Sequence, residues 1–369
     1  MTDPLKSKEE ILQMLPQLEW LDALPDLVRI LSPQGQVLFE NQAMVRFSQD
    51  MGKPENVVIP PLLDPAVFIE GRPSRTDFCT QRRVYSVSTS PVTISGKIIG
   101  AMQIFRDITL QNELTISLSE SNRRLENDLR LARKIQTRML PQKTRFGPLT
   151  FDYRYLPTEE LSGDFFDILP VAQGKAGLYI TDVVGHGVSA SILTMFVRQT
   201  MRSILQEQKV IAPAQVLAKV LQKYLEIQIS PQQYFTLFYA LFDYEKETVT
   251  FANAGHNCLP LLKSHDHVEE LEAKGMIISP LFQQGDYKET TLFFRPGSDL
   301  LFYTDGAVES KSPAQVPYGA DRLKEFFEKT QKGFLDKFLA ELAHYRQGRQ
   351  EDDITLLLVH SGKGEEYEI

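Results

Sequence analysis

The spacing of apolar and polar positions divides the chain into four stretches. Residues 1–20 predict a short N-terminal helix. From Leu21 to Thr109, short apolar runs alternate with turn residues. Leu27–Leu31 reads as a strand, Pro33-Gln34-Gly35 as a turn, and Val37–Phe39 as its hairpin partner. Asn41 precedes a short helical stretch. Arg83–Thr93 and Ile98–Ile108 are further strands, with Gly96 turning between them. Residues 110–142 hold no Gly, and no Pro before Pro141, so they predict one long helix. In it Leu118, Leu125, Ala132 and Met139 recur every seven residues, and Leu114, Ser121, Asp128 and Ile135 form the neighbouring line. Two polar residues on that second line make a weak seam. The preferred reading is a parallel dimeric coiled coil, against a solvated single helix. Beyond it, Thr150–Tyr155, Tyr234–Phe242, Thr248–Asn253, Leu259–Lys263, Leu300–Tyr303 and Ile354–Val359 read as strands. Val188–Gln206, Pro213–Ile229, Arg322–Lys329 and Phe334–Tyr345 read as helices, with Pro213 suited to a first turn. Strands, two helices, then many strands imply antiparallel pairing rather than βαβ repeats. The expected domains are 1–20, 21–109, 110–142 and 145–362, in an α+β chain.

Composition narrows the function classes. The 369 residues are 42% hydrophobic and 24% charged, ordinary for a globular protein of two domains and a connector. A net charge of −8 argues against nucleic acid as the main partner. No run of about 18 apolar residues predicts a membrane span. The N-terminus has no apolar signal region, and Cys79 and Cys258 are far apart, so a cytoplasmic protein with free thiols is expected.

The candidate chemistry centres on Gly177–Gly187, GLYITDVVGHG. A buried strand ends at Asp182, and glycines just after it let backbone carbonyls approach a ligand. Four acidic clusters stand at strand ends: SGDFFD with Asp164 and Asp167, TDVVGHG with Asp182, YTDG with Asp305, and EDDIT with Asp352 and Asp353. In an antiparallel sheet, the C-end of one strand and the N-end of its neighbour share an edge, so these carboxylates can converge. Converging carboxylates repel unless cations neutralise them. An all-oxygen donor set selects Mg²⁺ or Mn²⁺ over zinc, and two such ions suit hydrolysis of a phosphate ester. A Cys-x5-Arg loop, a DxDxT-type nucleophile motif and a Gly-x4-Gly-Lys-Ser/Thr loop are all absent.

Two resemblances sharpen this reading. LPDLVRILSPQGQVLFENQA and GAMQIFRDIT resemble the start and end of a PAS sensor domain. The first histidine is His186, which excludes a histidine-ligated haem in that domain, and the reactive-cysteine motif of flavin photosensors is missing. SGDFFD, DVVGHG, NAGH (Asn253–His256), YTDG and DDIT resemble, in order and spacing, the metal-dependent PPM serine/threonine phosphatases of the bacterial SpoIIE and RsbU branch. RKIQTRMLPQ resembles the segment leading into such phosphatases. The resemblance implies an αββα sandwich binding two Mn²⁺ or Mg²⁺ ions, and a phosphoserine or phosphothreonine substrate on a STAS-type anti-sigma-factor antagonist. It implies that Asp182 bridges both ions with the Val183 carbonyl beside it, that Asp305 and Asp352 hold the second ion, and that Asp164 binds an ion or orients its water. His186 is either a proton donor to the leaving oxygen or a turn-stabilising residue. Asp353, Asp167 and Glu309 fall to supporting roles, and Asn253–His256 to a structural turn. Val184 departs from the branch, where Ser is common.

Two readings compete with a sensor-gated phosphatase that dimerises through its linker helix. A sensor kinase shares the PAS and coiled-coil order, but DVVGHG is one residue too long for D-x-G-x-G and the linker helix holds no histidine. A binding scaffold without phosphatase activity would require a lost metal aspartate, and none is lost.

Overall fold

The computed structural model describes residues 19–50, 64–80, 83–94, 96–142, 144–185, 187–207, 212–265 and 267–362. Most of the N-terminal helix expected over 1–20 lies outside them; Glu19 and Trp20 begin a 3-10 turn, Glu19–Ala23. The chain divides into two compact units, residues 1–124 and 125–369. The boundary falls inside one long helix.

The first unit is an antiparallel sheet in the order β2-β1-β5-β4-β3. Its members are β1 (Leu27–Leu31), β2 (Val37–Glu40), β3 (Ser74–Cys79), β4 (Val84–Ile94) and β5 (Lys97–Asp107). Helices α1 (Gln42–Asp50) and α2 (Pro65–Ile69) lie between β2 and β3. Buried Asn41 fixes the entry to α1. Its Oδ1 accepts from the Met44 and Val28 amides at 3.0 Å each, and its Nδ2 donates to the Leu21 carbonyl at 3.1 Å. Strand β3 escapes periodicity because it is an edge strand of polar sequence, SRTDFC, with most side chains exposed.

Helix α3 (Thr109–Met139) lacks helix breakers, as its sequence requires. The coiled-coil line is solvent-exposed on this chain: Leu114 is 61%, Leu118 63% and Leu125 57% exposed.

The second unit holds two antiparallel sheets. One runs β14-β11-β10-β9-β8, from β8 (Asp164–Ala172), β9 (Lys175–Val183), β10 (Phe235–Asp243), β11 (Thr248–Ala254) and β14 (Glu289–Phe293). The other runs β13-β12-β15-β16-β7-β6, from β6 (Arg145–Phe146), β7 (Leu149–Leu156), β12 (Leu261–Ser264), β13 (His267–Glu270), β15 (Asp299–Tyr303) and β16 (Ile354–Ser361). Their inner faces interdigitate. Phe238 of β10 meets Phe302 of β15 at 5.8 Å between ring centroids, and Phe151 of β7 meets Phe242 of β10 at 6.0 Å. Helices α4 (Val188–Glu207) and α5 (Pro213–Glu226) cover the first sheet. The buried stripe of α4, Ala190, Leu193, Val197, Met201 and Ile204, has the three-and-four spacing of a helix docked along one face. After β15 comes a single turn, α6 (Asp305–Val308); α7 (Ala320–Lys329) and α8 (Phe334–Arg346) then cover the second sheet, where Phe327, Phe334 and Phe338 pack on Leu301, Tyr303 and Leu356. The layers run helix, sheet, sheet, helix. Fully burying each such large apolar side chain contributes roughly 1.5–3 kcal/mol.

Candidate metal centre

The acidic clusters gather where the two sheets end together. Asp164 opens β8 and Asp182 is the last residue but one of β9; the register sets them directly opposite each other. Asp305 and Asp352 stand just beyond strand ends of the other sheet. Asp305 begins α6, one residue past the Thr304 that follows β15, and Asp352 stands two residues before β16. Since β15 and β16 are antiparallel neighbours, these two also share an end.

Glycines permit the close approach. A Cβ on Gly163 would lie 2.9 Å from both the Val183 and Gly185 carbonyl oxygens, so those oxygens face a space that only glycine leaves open. The Val183 amide donates to the Gly163 carbonyl at 3.1 Å. A Cβ on Gly306 would lie 2.0 Å from the Asp353 carbonyl, so Gly306 lets the α6 turn press against the Asp352-Asp353 backbone.

Asp164 is 3% exposed, and its Oδ2 accepts from the hydroxyls of Thr304 at 2.7 Å and Thr355 at 2.8 Å. Both threonines come from the opposite sheet, so these bonds tie the sheets together at the site. Burial and the facing Asp182 raise the Asp164 pKa well above the usual carboxylate range, against the two hydroxyls. Burial pushes Asp182 up to about 7, with repulsion from Asp305, Asp352, Asp353 and Glu309 adding to it. Asp305 is raised by burial and then by Glu309. Four neighbouring carboxylates thus disfavour charge on Asp182.

The remaining candidates sort by their contacts. His186 lies outside the described residues; its neighbours Gly185 and Gly187 have φ of +86° and +80°. Asp353 accepts from the Thr158 amide at 2.6 Å and the Gly163 amide at 3.2 Å, which pins the loop ahead of Asp164. Asp167 is fully buried and accepts from Arg202 Nε at 2.7 Å, a structural ion pair. Asn253 closes its turn through the His256 amide at 2.7 Å. The His256 ring spans Thr236 Oγ1 at 3.2 Å and the Tyr303 carbonyl at 3.1 Å. Burial lowers its pKa to about 4, so it is a neutral brace between the strands that precede Asp305 and face Asp182. Burial also raises the Cys258 thiol, with the nearby aspartates adding to it; a protonated thiol is no nucleophile.

Sequence reasoning missed Thr355 and Gln136, and passed over the hydroxyl of Thr304 in the strand-Thr-Asp pattern. Gln136 of α3 is 2% exposed; its Nε2 donates to the Ser162 carbonyl at 2.9 Å, and its Oε1 accepts from the Ser162 amide at 3.2 Å. A polar residue inside a helical pattern gives no periodicity signal for such a role. Met139 and Leu140 pack on the core, whereas Ile135 is 42% exposed and does not.

Among the described residues, no three His, Cys, Asp or Glu groups gather closely enough to enclose an ion by themselves. Mg²⁺-type ions do not require such a cage: they keep several waters and use one or two carboxylates each. The opposed Asp164–Asp182 pair, the raised carboxylate pKa values and the carbonyls facing Gly163 fit hard divalent cations in charge and donor type.

Comparisons with known proteins agree with this architecture. The chain is 27% identical over 238 residues to the phosphoserine phosphatase RsbP of Bacillus subtilis, covering 63% of this chain and 58% of RsbP. It is 23% identical over 240 residues to the phosphoserine phosphatase RsbU of the same organism, covering 64% of this chain and 70% of RsbU. Among solved structures, the SiaA-PP2C domain of Pseudomonas aeruginosa superposes with a TM-score of 0.58 at 22% identity, over 65% of this chain and 98% of that one. The PP2C phosphatase domain with a regulatory fragment of SpoIIE from Bacillus subtilis superposes with a TM-score of 0.51 at 14% identity, over 86% and 88%. The fold is therefore PP2C-like. Residues 172–361 match the family described as Stage II sporulation protein E, and the chain belongs to this SpoIIE family.

Proposed function

We propose that the chain is a metal-dependent protein serine/threonine phosphatase whose substrate is a phosphorylated STAS-type anti-sigma-factor antagonist, gated by its N-terminal unit. The observation that carries the reading is the facing pair Asp164–Asp182 at the shared end of two sheets, with Asp305 and Asp352 arriving from the second sheet. Its similarity to RsbP and RsbU, both phosphoserine phosphatases, supports it.

Asp182, the Val183 carbonyl, Asp305 and Asp352 would hold two Mn²⁺ or Mg²⁺ ions, with Asp164 binding one or orienting its water. When bound, such ions supply the positive charge that offsets charge building on the phosphoryl oxygens during attack by water. The protein's own residues fix the donors. Thr304 and Thr355 hold Asp164, Gly163 leaves room at the Val183 carbonyl, and Gly306 presses the Asp305 turn against Asp352. His186, between two glycines in the sequence, would give a proton to the departing seryl or threonyl oxygen.

Gating has a physical basis in α3. Gln136 grips Ser162, two residues before Asp164, so a change in the C-terminal turns of α3 reaches the site directly. The exposed line of Leu114, Leu118 and Leu125 supports pairing with a second copy through α3. The PAS-like reading of the first unit rests on its sequence resemblance, and its five-stranded antiparallel sheet with short helices is compatible with it. Phosphate release from a phosphorylated STAS domain, with and without Mn²⁺, tests the proposal. Release of one equivalent only with metal supports it, and no release from any phosphorylated STAS domain tried removes that substrate class.

A further inference from the structure

Next to its clamp on Ser162, helix α3 carries a cationic face. Arg130, Arg133, Lys134, Thr137 and Arg138 recur at three-and-four spacing, so they share one side of the helix, and all five are exposed. With Glu160 they line an open groove of about 560 Å³. Four cations there meet one carboxylate. Glu160 pairs with Arg133 at 3.4 Å, and Glu126, one turn before the groove, reaches Arg130 at 3.9 Å. Glu159 Oε2 stands beside Gly187 instead, 3.8 Å from where a Cβ on that glycine would lie. Among the described residues, no carboxylate pairs with Lys134 or Arg138. Their charges remain unbalanced after both ion pairs are set aside, in a chain of net charge −8.

The groove flanks the carboxylate cluster. Glu160 precedes Asp164 by four residues, at most about 14 Å of extended chain. Gln136 fixes the loop between them through Ser162. On the other flank, α4 begins six residues after Asp182 and exposes Val188 (51%) and Ile192 (62%), one turn apart. Cations on one side and bare apolar side chains on the other make the mixed surface of a protein interface. Leu125 and Ile135, on the pairing seam of α3, lie on the opposite side of a 3.6-residue helix, so a dimer through that seam leaves the cationic face open. A phosphorylated protein is anionic, and the overall negative charge of this chain repels it except where cations dominate. We propose that this face of α3 docks the substrate protein, taking an acidic stretch near its phosphorylated residue. The inference rests on the phosphatase reading and adds how the substrate is held beside the site.

The test compares two phosphoserine peptides of equal length. One carries a run of Asp and Glu starting about four residues from the phosphoserine, the reach of the groove at about 3.3 Å per residue; the other carries Ser and Gln there. With Mn²⁺, the full-length protein favours the acidic peptide by about tenfold in kcat/KM, and high salt erodes the preference. In Lys134→Gln/Arg138→Gln the ratio falls toward one through KM, and in Lys134→Glu/Arg138→Glu it drops below one. A wild-type ratio near one, or an unchanged ratio in both variants, overturns the assignment. Turnover of p-nitrophenyl phosphate, which has no flanking residues, tests the phosphatase reading separately and stays at the wild-type level in both variants. Were that turnover absent, fluorescence anisotropy of the labelled acidic peptide still decides the docking face. Salt-sensitive binding that the Gln variant loses supports it. No binding by the wild type, or tighter binding of a random-sequence oligonucleotide than of the peptide, overturns it.

Discussion

Asp164 and Asp182 stand directly opposite each other on neighbouring antiparallel strands, while the two hydroxyls that hold Asp164 come from the other sheet. Like charges in facing positions are destabilising. The fold tolerates the pair by burying one member on threonines and leaving the other among carboxylates that raise its pKa. A site built against its own charge is one that cations complete.

The aspartate series follows. Asp182→Ala is expected to lower phosphatase turnover at least ~10³-fold while circular dichroism stays native, since removing an electrostatic partner of a reacting phosphoryl group has effects of this order. Asp305→Ala and Asp352→Ala should fall nearly as far. Near-normal turnover of Asp182→Ala in Mn²⁺ would mean the donors are elsewhere.

The pH dependence of the metal-free protein isolates Asp182. Its folded pKa is raised to about 7 from the ordinary carboxylate value. The stability this group contributes is therefore full below the unfolded pKa and is lost as pH rises through about 7. Asp182→Asn removes that loss. Urea midpoints of the two proteins in EDTA should coincide in trend near pH 4 and diverge toward pH 8, with the Asn variant gaining on the wild type. Divergence in the opposite direction contradicts the repulsion described here.

The threonine brace is testable without catalysis. Thr304→Val and Thr355→Val keep shape and remove one donor from a buried carboxylate, which costs about 1–3 kcal/mol each. Guanidinium denaturation measures it. Because both donors serve one oxygen, the double variant should depart from additivity; strict additivity would indicate that the hydroxyls act independently of Asp164.

The α3 helix yields two expectations. Gln136→Leu leaves the Ser162 amide and carbonyl without their partner, so hydrogen exchange at residues 158–164 should accelerate. Ser121→Leu with Asp128→Leu completes an apolar line, so sedimentation should show a tighter dimer, with higher basal turnover and weaker response to input. A tighter dimer with unchanged turnover would make α3 a passive spacer.

Much of the fold was legible because its strands are buried and long. Leu27–Leu31 coincides with β1, and the α4 and α5 starts at Val188 and Pro213 were read correctly. The edge strands β3 and β14 were not, since half-exposed polar residues carry no apolar signal. The aspartates were legible as strand-end acids able to converge. The pairing that splits Asp164 and Asp182 from Asp305 and Asp352 depends on strand order, which periodicity does not encode. Gly163 and Gly306 matter through contacts with distant backbone, so their roles required the tertiary structure.

The central claim is that a divalent-metal phosphatase centre is organised on Asp182. The most direct measurement is phosphate release from a phosphoserine peptide by chelated protein, titrated with Mn²⁺, for wild type and Asp182→Ala side by side. Saturable, Mn²⁺-dependent release by the wild type and none by the variant is the predicted result. Release in EDTA, or equal release by both proteins, would contradict it.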